Sequence, residues 1–167
     1  MPVLSTGIAH YKHQLWTYNL GVHDNVPGIG CMYAWNEDVA SRGPHGIASC
    51  LKEHFERNLP NTTKEVTLYS DSCGGQNCNI KMSIMLSKIL QSHSSLEVIN
   101  QRFFIPGYSF STCGQDFGII EKEKCYHKKI YLPDDWIEVI QVSKKKAPKF
   151  VVTKMDSSKF FFPVLNC

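Results

Sequence analysis

Tyr69-Ser70-Asp71-Ser72-Cys73-Gly74-Gly75-Gln76-Asn77 is the stretch on which the fold turns. Ahead of it, residues 65–70 alternate around Val66 and Leu68 and read as a strand, and behind it residues 79–91 carry apolar residues at helical spacing. Asp71 therefore falls at a strand-loop-helix junction, where a side chain stands above the edge of a sheet. The paired glycines let the backbone turn sharply and come close to a ligand, while Gln76 and Asn77 supply neutral donors and acceptors. Metal-dependent phosphoryl transfer needs an acidic ligand held in such a place. The plainer reading is a glycine turn in which Asp71 caps the helix that follows.

Working outward on the N-terminal side, residues 13–22 alternate and are rich in Leu, Trp, Tyr and Val. The turn chemistry of His23-Asp24-Asn25-Val26-Pro27-Gly28-Ile29-Gly30 then folds a second strand, residues 31–35, back on the first. Ile47, Leu51 and Phe55 recur every four residues and predict a helix over residues 45–58. On the C-terminal side, residues 96–105 read as a strand ended by Pro106-Gly107, and residues 114–125 as a helix with Phe117, Ile119 and Ile120 turned inward. A hairpin followed by alternating helices and strands is the layout of a ribonuclease H-like α/β fold, a mixed sheet with helices on both faces. One strand of that layout is missing unless residues 36–40 form it. Residues 1–129 make up this core, truncated at its N-terminus, and residues 130–167 a C-terminal appendix packed on it. In the appendix Leu132-Pro133-Asp134-Asp135 starts a helix and residues 150–153 form a strand. Both ends read as cuts from a longer protein or a decayed copy of one.

Composition sets the outer limits. The chain has 167 residues, 43% of them hydrophobic, enough for one ordinary core. A net charge of +3, from 18 basic and 15 acidic residues, is too mild to indicate nucleic-acid binding by itself. The local cluster Lys144-Lys145-Lys146 with Lys149 and Lys154 reads first as a solvated loop and second as a basic surface. Seven cysteines without paired CxxC spacing fit reduced thiols and an intracellular setting; Cys73 and Cys78 make at most half a zinc site. Cys73 as a nucleophile lacks a specified base. No apolar run reaches membrane-spanning length, and no secretory signal opens the chain.

Two-metal chemistry requires several converging carboxylates, and the fold would present one from its first strand, one after its fourth and one on its last helix. Asp71 fits the second position. Asp116 fits the third, in the first turn of the last helix, where an ionised carboxylate is favoured. Glu121 competes with it, but five residues along a helix put it about 140° away from Asp116, among Lys122, Glu123 and Lys124 on a charged face. The first strand offers only Asn19, a poorer magnesium ligand than a carboxylate, since Asp24 belongs to the turn. Catalytic candidates are thus Asp71, Asp116, Asn19 and Glu121, with Asp71 and Asp116 as Mg²⁺ ligands and Gly74, Gly75, Gln76 and Asn77 as ligand contacts. His23, His45 and His54 show no ligand spacing and read as surface or hydrogen-bonded histidines.

In order along the chain, QLWTYNLGVHD, EDVASRG, SCLKEHFE, YSDSCGGQN, FFIPGYSF, DFGIIEK and LPDDWIEVI resemble a large transposon-derived family of uncharacterised animal proteins, a domain of unknown function. The resemblance runs from about Pro2 to Phe162. It implies a core related to DDE/D transposases and integrases, with magnesium-dependent cleavage and joining of DNA, active or vestigial, and residence in the nucleus. It assigns Asp71 to the SDxxGGQN element, Asp116 to the acid before FGxIEK, and Asn19 to YNxGxH. The chain departs from the family pattern at Pro106-Gly107-Tyr108-Ser109, where PGHS is expected, and lacks an acid or arginine near Gly114-Gln115. The alternative it leaves open is a catalytically inactive nucleic-acid or protein binding module of a domesticated or decayed transposase.

Overall fold

A computed structural model describes residues 16–105, 111–127, 130 and 132–160. The chain divides into two compact units, one formed by Met1–Ser41 with Phe110–Ser157, the other by Arg42–Ser109 with Ser158–Cys167. The Pro106 to Ser109 segment and the first residues of the expected opening strand lie outside the described residues.

In the first unit, β1 (Thr17–Asp24) and β2 (Ile29–Asn36) form an antiparallel hairpin in which His23 stands opposite Gly30 and Gly21 opposite Met32. The turn closes because Gly28 takes a positive φ of 66°, and because Asp24 Oδ1 accepts the Val26 N–H at 3.1 Å, so Asp24 serves the turn. Residues 37–40 do not make the missing strand. Asn36 O accepts the N–H groups of Val39 and Ala40 there, and the Trp35 indole donates to Ala40 O, which commits the segment to a turn. The open side of β2 is taken instead by β5 (Val151–Lys154), parallel, with Cys31 opposite Val151 and Ala34 opposite Lys154. The sheet is mixed, in the order β1-β2-β5.

Two helices, α3 (Thr112–Lys124) and α4 (Pro133–Ser143), pack on this sheet. Met32, Ile120, Ile140 and Phe150 form their shared core, with Phe117, Ile119 and Val152 against it. Both helices thus lie on the face that carries Met32, and among the described residues of this unit no helix covers the other face. Two glycines set the approach. A Cβ at Gly21 would stand 2.9 Å from Cys113 Sγ and from the Phe117 ring, and one at Gly30 would stand 2.7 Å from Asp116 Oδ2 and 2.8 Å from the Phe150 ring. The boundary expected after residue 129 does not match this division, because α4 and β5 complete the sheet and core of the first unit.

The second unit holds α1 (Pro44–Asn58), β3 (Glu65–Ser70), α2 (Ile80–Ser92) and β4 (Val98–Phe103). β3 and β4 pair in parallel, Glu65 opposite Val98 through Ser70 opposite Phe103, and α2 is the crossover between them. Ile47, Leu51 and Phe55 of α1 are buried as their spacing predicts, and so are Met82, Met85, Leu86 and Ile89 of α2. Ile80 and Ile84, part of the apolar pattern that marks this helix, are exposed. The described strands pair as a mixed three-stranded sheet in the first unit and as a parallel pair in the second. Among the described residues, no helix is long and apolar enough to cross a membrane.

Candidate functional site

Asp71 is exposed and directly follows β3. Its Oδ1 accepts a hydrogen bond from Asn77 Nδ2 at 2.5 Å. It does not cap α2. That role belongs to Asn79, whose Oδ1 accepts the Met82 N–H at 2.9 Å while its Nδ2 donates to Gly74 O at 3.0 Å. The loop between is folded around one carbonyl: Cys73 O accepts the N–H groups of Gln76, Asn77 and Cys78 at 3.1, 2.8 and 3.0 Å. Asn77 O accepts from Gln101 Nε2 at 2.8 Å, which ties the loop to β4. Gln76, oriented with its amide oxygen toward Arg42, accepts from Arg42 Nε and Nη2 at 2.7 and 2.8 Å. Neither Gly74 nor Gly75 has a positive φ, and a Cβ on Gly75 would meet open space. The turn is thus made by the Cys73 carbonyl, and the glycines leave its outer surface bare.

Asp116 is placed otherwise than expected. α3 begins at Thr112, capped by Ser111, whose Oγ accepts the Gly114 N–H at 3.0 Å, so Asp116 lies in the second turn and caps nothing. It is 4% exposed. His23 Nδ1 donates to Asp116 Oδ2 at 2.6 Å, and Lys144 Nζ stands 3.9 Å from Oδ1. Gly30, opposite His23 on the hairpin, provides the space the carboxylate fills. Lys144 also lies 4.9 Å from the centre of the Phe150 ring, a cation-π distance. Its ammonium is thus folded into the unit, unlike the solvated loop its sequence suggests. Lys145 pairs at 3.8 Å with Glu123, and Lys146 and Lys149 are exposed.

Asn19, Gly21 and His23 share one face of β1, since side chains alternate along a strand. His23 is four positions beyond Asn19, roughly 13 Å along the strand, so Asp116 meets the histidine and not the asparagine. Asn19 Nδ2 makes only a long contact of 3.9 Å to Met32 Sδ, and its buried Oδ1 has no hydrogen-bond partner. Glu121 is exposed and pairs with Lys124 at 3.2 Å, on the charged face expected of it. The structure therefore brings together Asp116, His23 and Lys144, and leaves Asn19 and Glu121 out. Asp71 belongs to the second unit.

Among the described residues, no three His, Cys, Asp or Glu side chains gather as a metal site. The donor set explains this around Asp116: one carboxylate is already matched by an imidazole N–H and an ammonium, and neither of those groups binds Mg²⁺. The described residues of the first unit do not fit a two-magnesium centre. Two thiols drawn into the fold are equally closed. Burial pushes Cys113 up to about 11, with the Asp116 charge adding to it, and its Sγ–H donates to Gly21 O at 3.3 Å. Burial, and then Glu53, pushes Cys50 up to about 12. His54 is buried against Asn58, with Nδ1 3.1 Å from Nδ2.

His23, read from sequence as a surface or hydrogen-bonded histidine, and Lys144, read as part of a solvated loop or basic surface, are the residues that close this cluster. The signal for His23 was its place in phase with Gly21 on one strand face, and opposite Gly30. Its partner lies 93 residues away. Compared with profiles of known protein families, with curated proteins and with solved structures, the chain matches none.

Proposed function

We propose that the chain is a catalytically silent binding module of ribonuclease H-like ancestry, descended from a transposon enzyme and kept for contact with nucleic acid rather than for cutting it. The observation that carries this reading is the state of Asp116. Where a working site would hold a carboxylate open to metal, this one is buried against His23 Nδ1 and beside Lys144 Nζ. A divalent cation entering there would meet an ammonium at close range and would have to displace a charge-assisted hydrogen bond. Asn19, assigned by resemblance to the first-strand position, adds no charge. The exposed Lys145, Lys146 and Lys149 supply the basic surface for a phosphate backbone. The order of hairpin, helix, strand, helix, strand and helix supports the ancestry.

Asp71 favours a second reading, magnesium-dependent cleavage of DNA. It is an exposed carboxylate at the carboxyl end of a parallel strand pair, with Asn77 beside it. One experiment separates the two. The full chain is titrated with Mg²⁺ by calorimetry and incubated with linear and branched DNA under the same conditions. The silent module should bind DNA with a steep salt dependence, take up no Mg²⁺ tightly and leave both substrates intact. Cleavage that disappears in Asp71→Ala would overturn it. Nuclear residence belongs to the same proposal, and imaging of the tagged chain in cells tests it.

A further inference from the structure

The loop after β3 holds two thiols that neither reading of the function uses. Cys73 and Cys78 are free and exposed, whereas Cys31 and Cys50 are buried and Cys113 is half-buried. The two lie at opposite ends of the turn wound around the Cys73 carbonyl. The hydrogen bond from Cys78 N–H to Cys73 O, 3.0 Å long, draws their α-carbons together. Standard backbone dimensions then keep those carbons within about 7 Å, against the roughly 4.4–6.8 Å that a disulfide spans. The residues between them are Gly74, Gly75, Gln76 and Asn77, and a Cβ on either glycine would have no neighbour closer than 3.9 Å. The ring that a bond would close is short, and half of its intervening residues carry no side chain to obstruct it.

We propose that Cys73 and Cys78 form a dithiol modification site, closed to an intramolecular disulfide by a peroxide and open to capture of thiophilic metalloids such as trivalent arsenicals. The thiolate of one cysteine attacks the peroxide O–O bond, which breaks to leave a sulfenic acid and release one water. The second thiol then attacks that sulfur: the S–S bond forms, the S–O bond breaks and a second water leaves. Two electrons pass from the two sulfurs to one hydrogen peroxide, and two thiol protons end in the two waters. The second step is intramolecular, so it competes with further oxidation of the sulfenic acid. The other thiols do not compete equally. Cys50 and Cys113 are held protonated by burial, and Cys125, exposed at the end of α3, donates to Glu121 O at 3.4 Å and is the natural comparison.

The full chain is treated with hydrogen peroxide at neutral pH, quenched by alkylation and mapped by peptide mass spectrometry. The expected product is a linked peptide carrying Cys73 and Cys78, short of two hydrogens. It should form about tenfold faster than Cys125 is oxidised, because the closing step needs no second molecule. Each of Cys73→Ser and Cys78→Ser should abolish the link and leave a trappable sulfenic acid on the remaining cysteine, and Cys125→Ser should change nothing. Phenylarsine oxide should bind the reduced chain one to one and fail to bind either serine variant. Both sites are exposed, so the variants are expected to fold, and circular dichroism checks that they do. A bond from Cys73 or Cys78 to another cysteine or another chain, or separate over-oxidation of each, would overturn the proposal. None of these readouts depends on DNA binding or cleavage.

Discussion

At the scale of the residue, Asp116 governs the chemistry open to the first unit. A carboxylate this buried needs a donor, and His23 Nδ1 supplies one at 2.6 Å, with the Lys144 ammonium at 3.9 Å. Removing one partner of such a pair leaves the other uncompensated, which costs more than the pair contributes. His23→Ala should therefore lower the unfolding free energy by about 2–4 kcal/mol. The His23→Ala/Asp116→Ala double variant should lose less than the sum of its parts, with a coupling of about 1–3 kcal/mol. Urea titrations of the four proteins check this, and strictly additive losses would show that the pair does not act as a unit. Asp116 was legible as a candidate because an isolated acid early in a helix draws notice. His23 was not, because no local pattern says which of several histidines meets a carboxylate far along the chain.

At the scale of the element, the sequence carried most of what the structure contains. The strands β1 to β4 and the helices α1 to α4 follow from period-2 and period-3.6 patterns, and departures are confined to ends and faces. α3 starts at Thr112 rather than Gly114 because Ser111 caps it, which moves Asp116 out of the first turn. Ile80 and Ile84 fit the apolar stripe of α2 by type but face outward, while Met82 takes the inward place. Gly21 and Gly30 test how closely α3 sits on the hairpin. Gly30→Ala would drive a methyl against Asp116 and Phe150 and should destabilise by about 1–3 kcal/mol, measured by chemical denaturation. Gly118, inside α3 and exposed, has nothing within 4 Å of a built Cβ. Gly118→Ala should stabilise by about 0.5–1 kcal/mol through helix propensity and a restricted unfolded chain. Equal effects at the two glycines would mean that the close approach around Gly30 is not tight.

At the scale of the whole molecule, two thiols shielded from solvent give the stability a pH dependence. Cys113 and Cys50 are held up at about 11 and about 12, above the ordinary thiol value of 9.0, so the folded chain keeps protons that the unfolded chain releases. Their contribution is complete below about pH 9 and declines as pH rises from there toward 11 to 12. The denaturation midpoint should fall over that interval, and Cys113→Ala and Cys50→Ala should each flatten the fall; an unchanged slope in both would rule out these two thiols as its source. The division into two units follows the same contrast between local and distant. That residues 130–157 belong with the hairpin rests on β5 pairing with β2, and a four-residue strand carries no mark of its partner. What the sequence determined by itself was the order and type of the elements and the Asp71 loop, because these depend on neighbours within a few positions. Only the tertiary structure decided that β5 joins the hairpin, that Asp116 is closed by His23 and Lys144, and that the glycine turn is tied to β4 through Gln101. Each of those depends on which groups burial and hydrogen bonding bring together, and periodicity does not encode that.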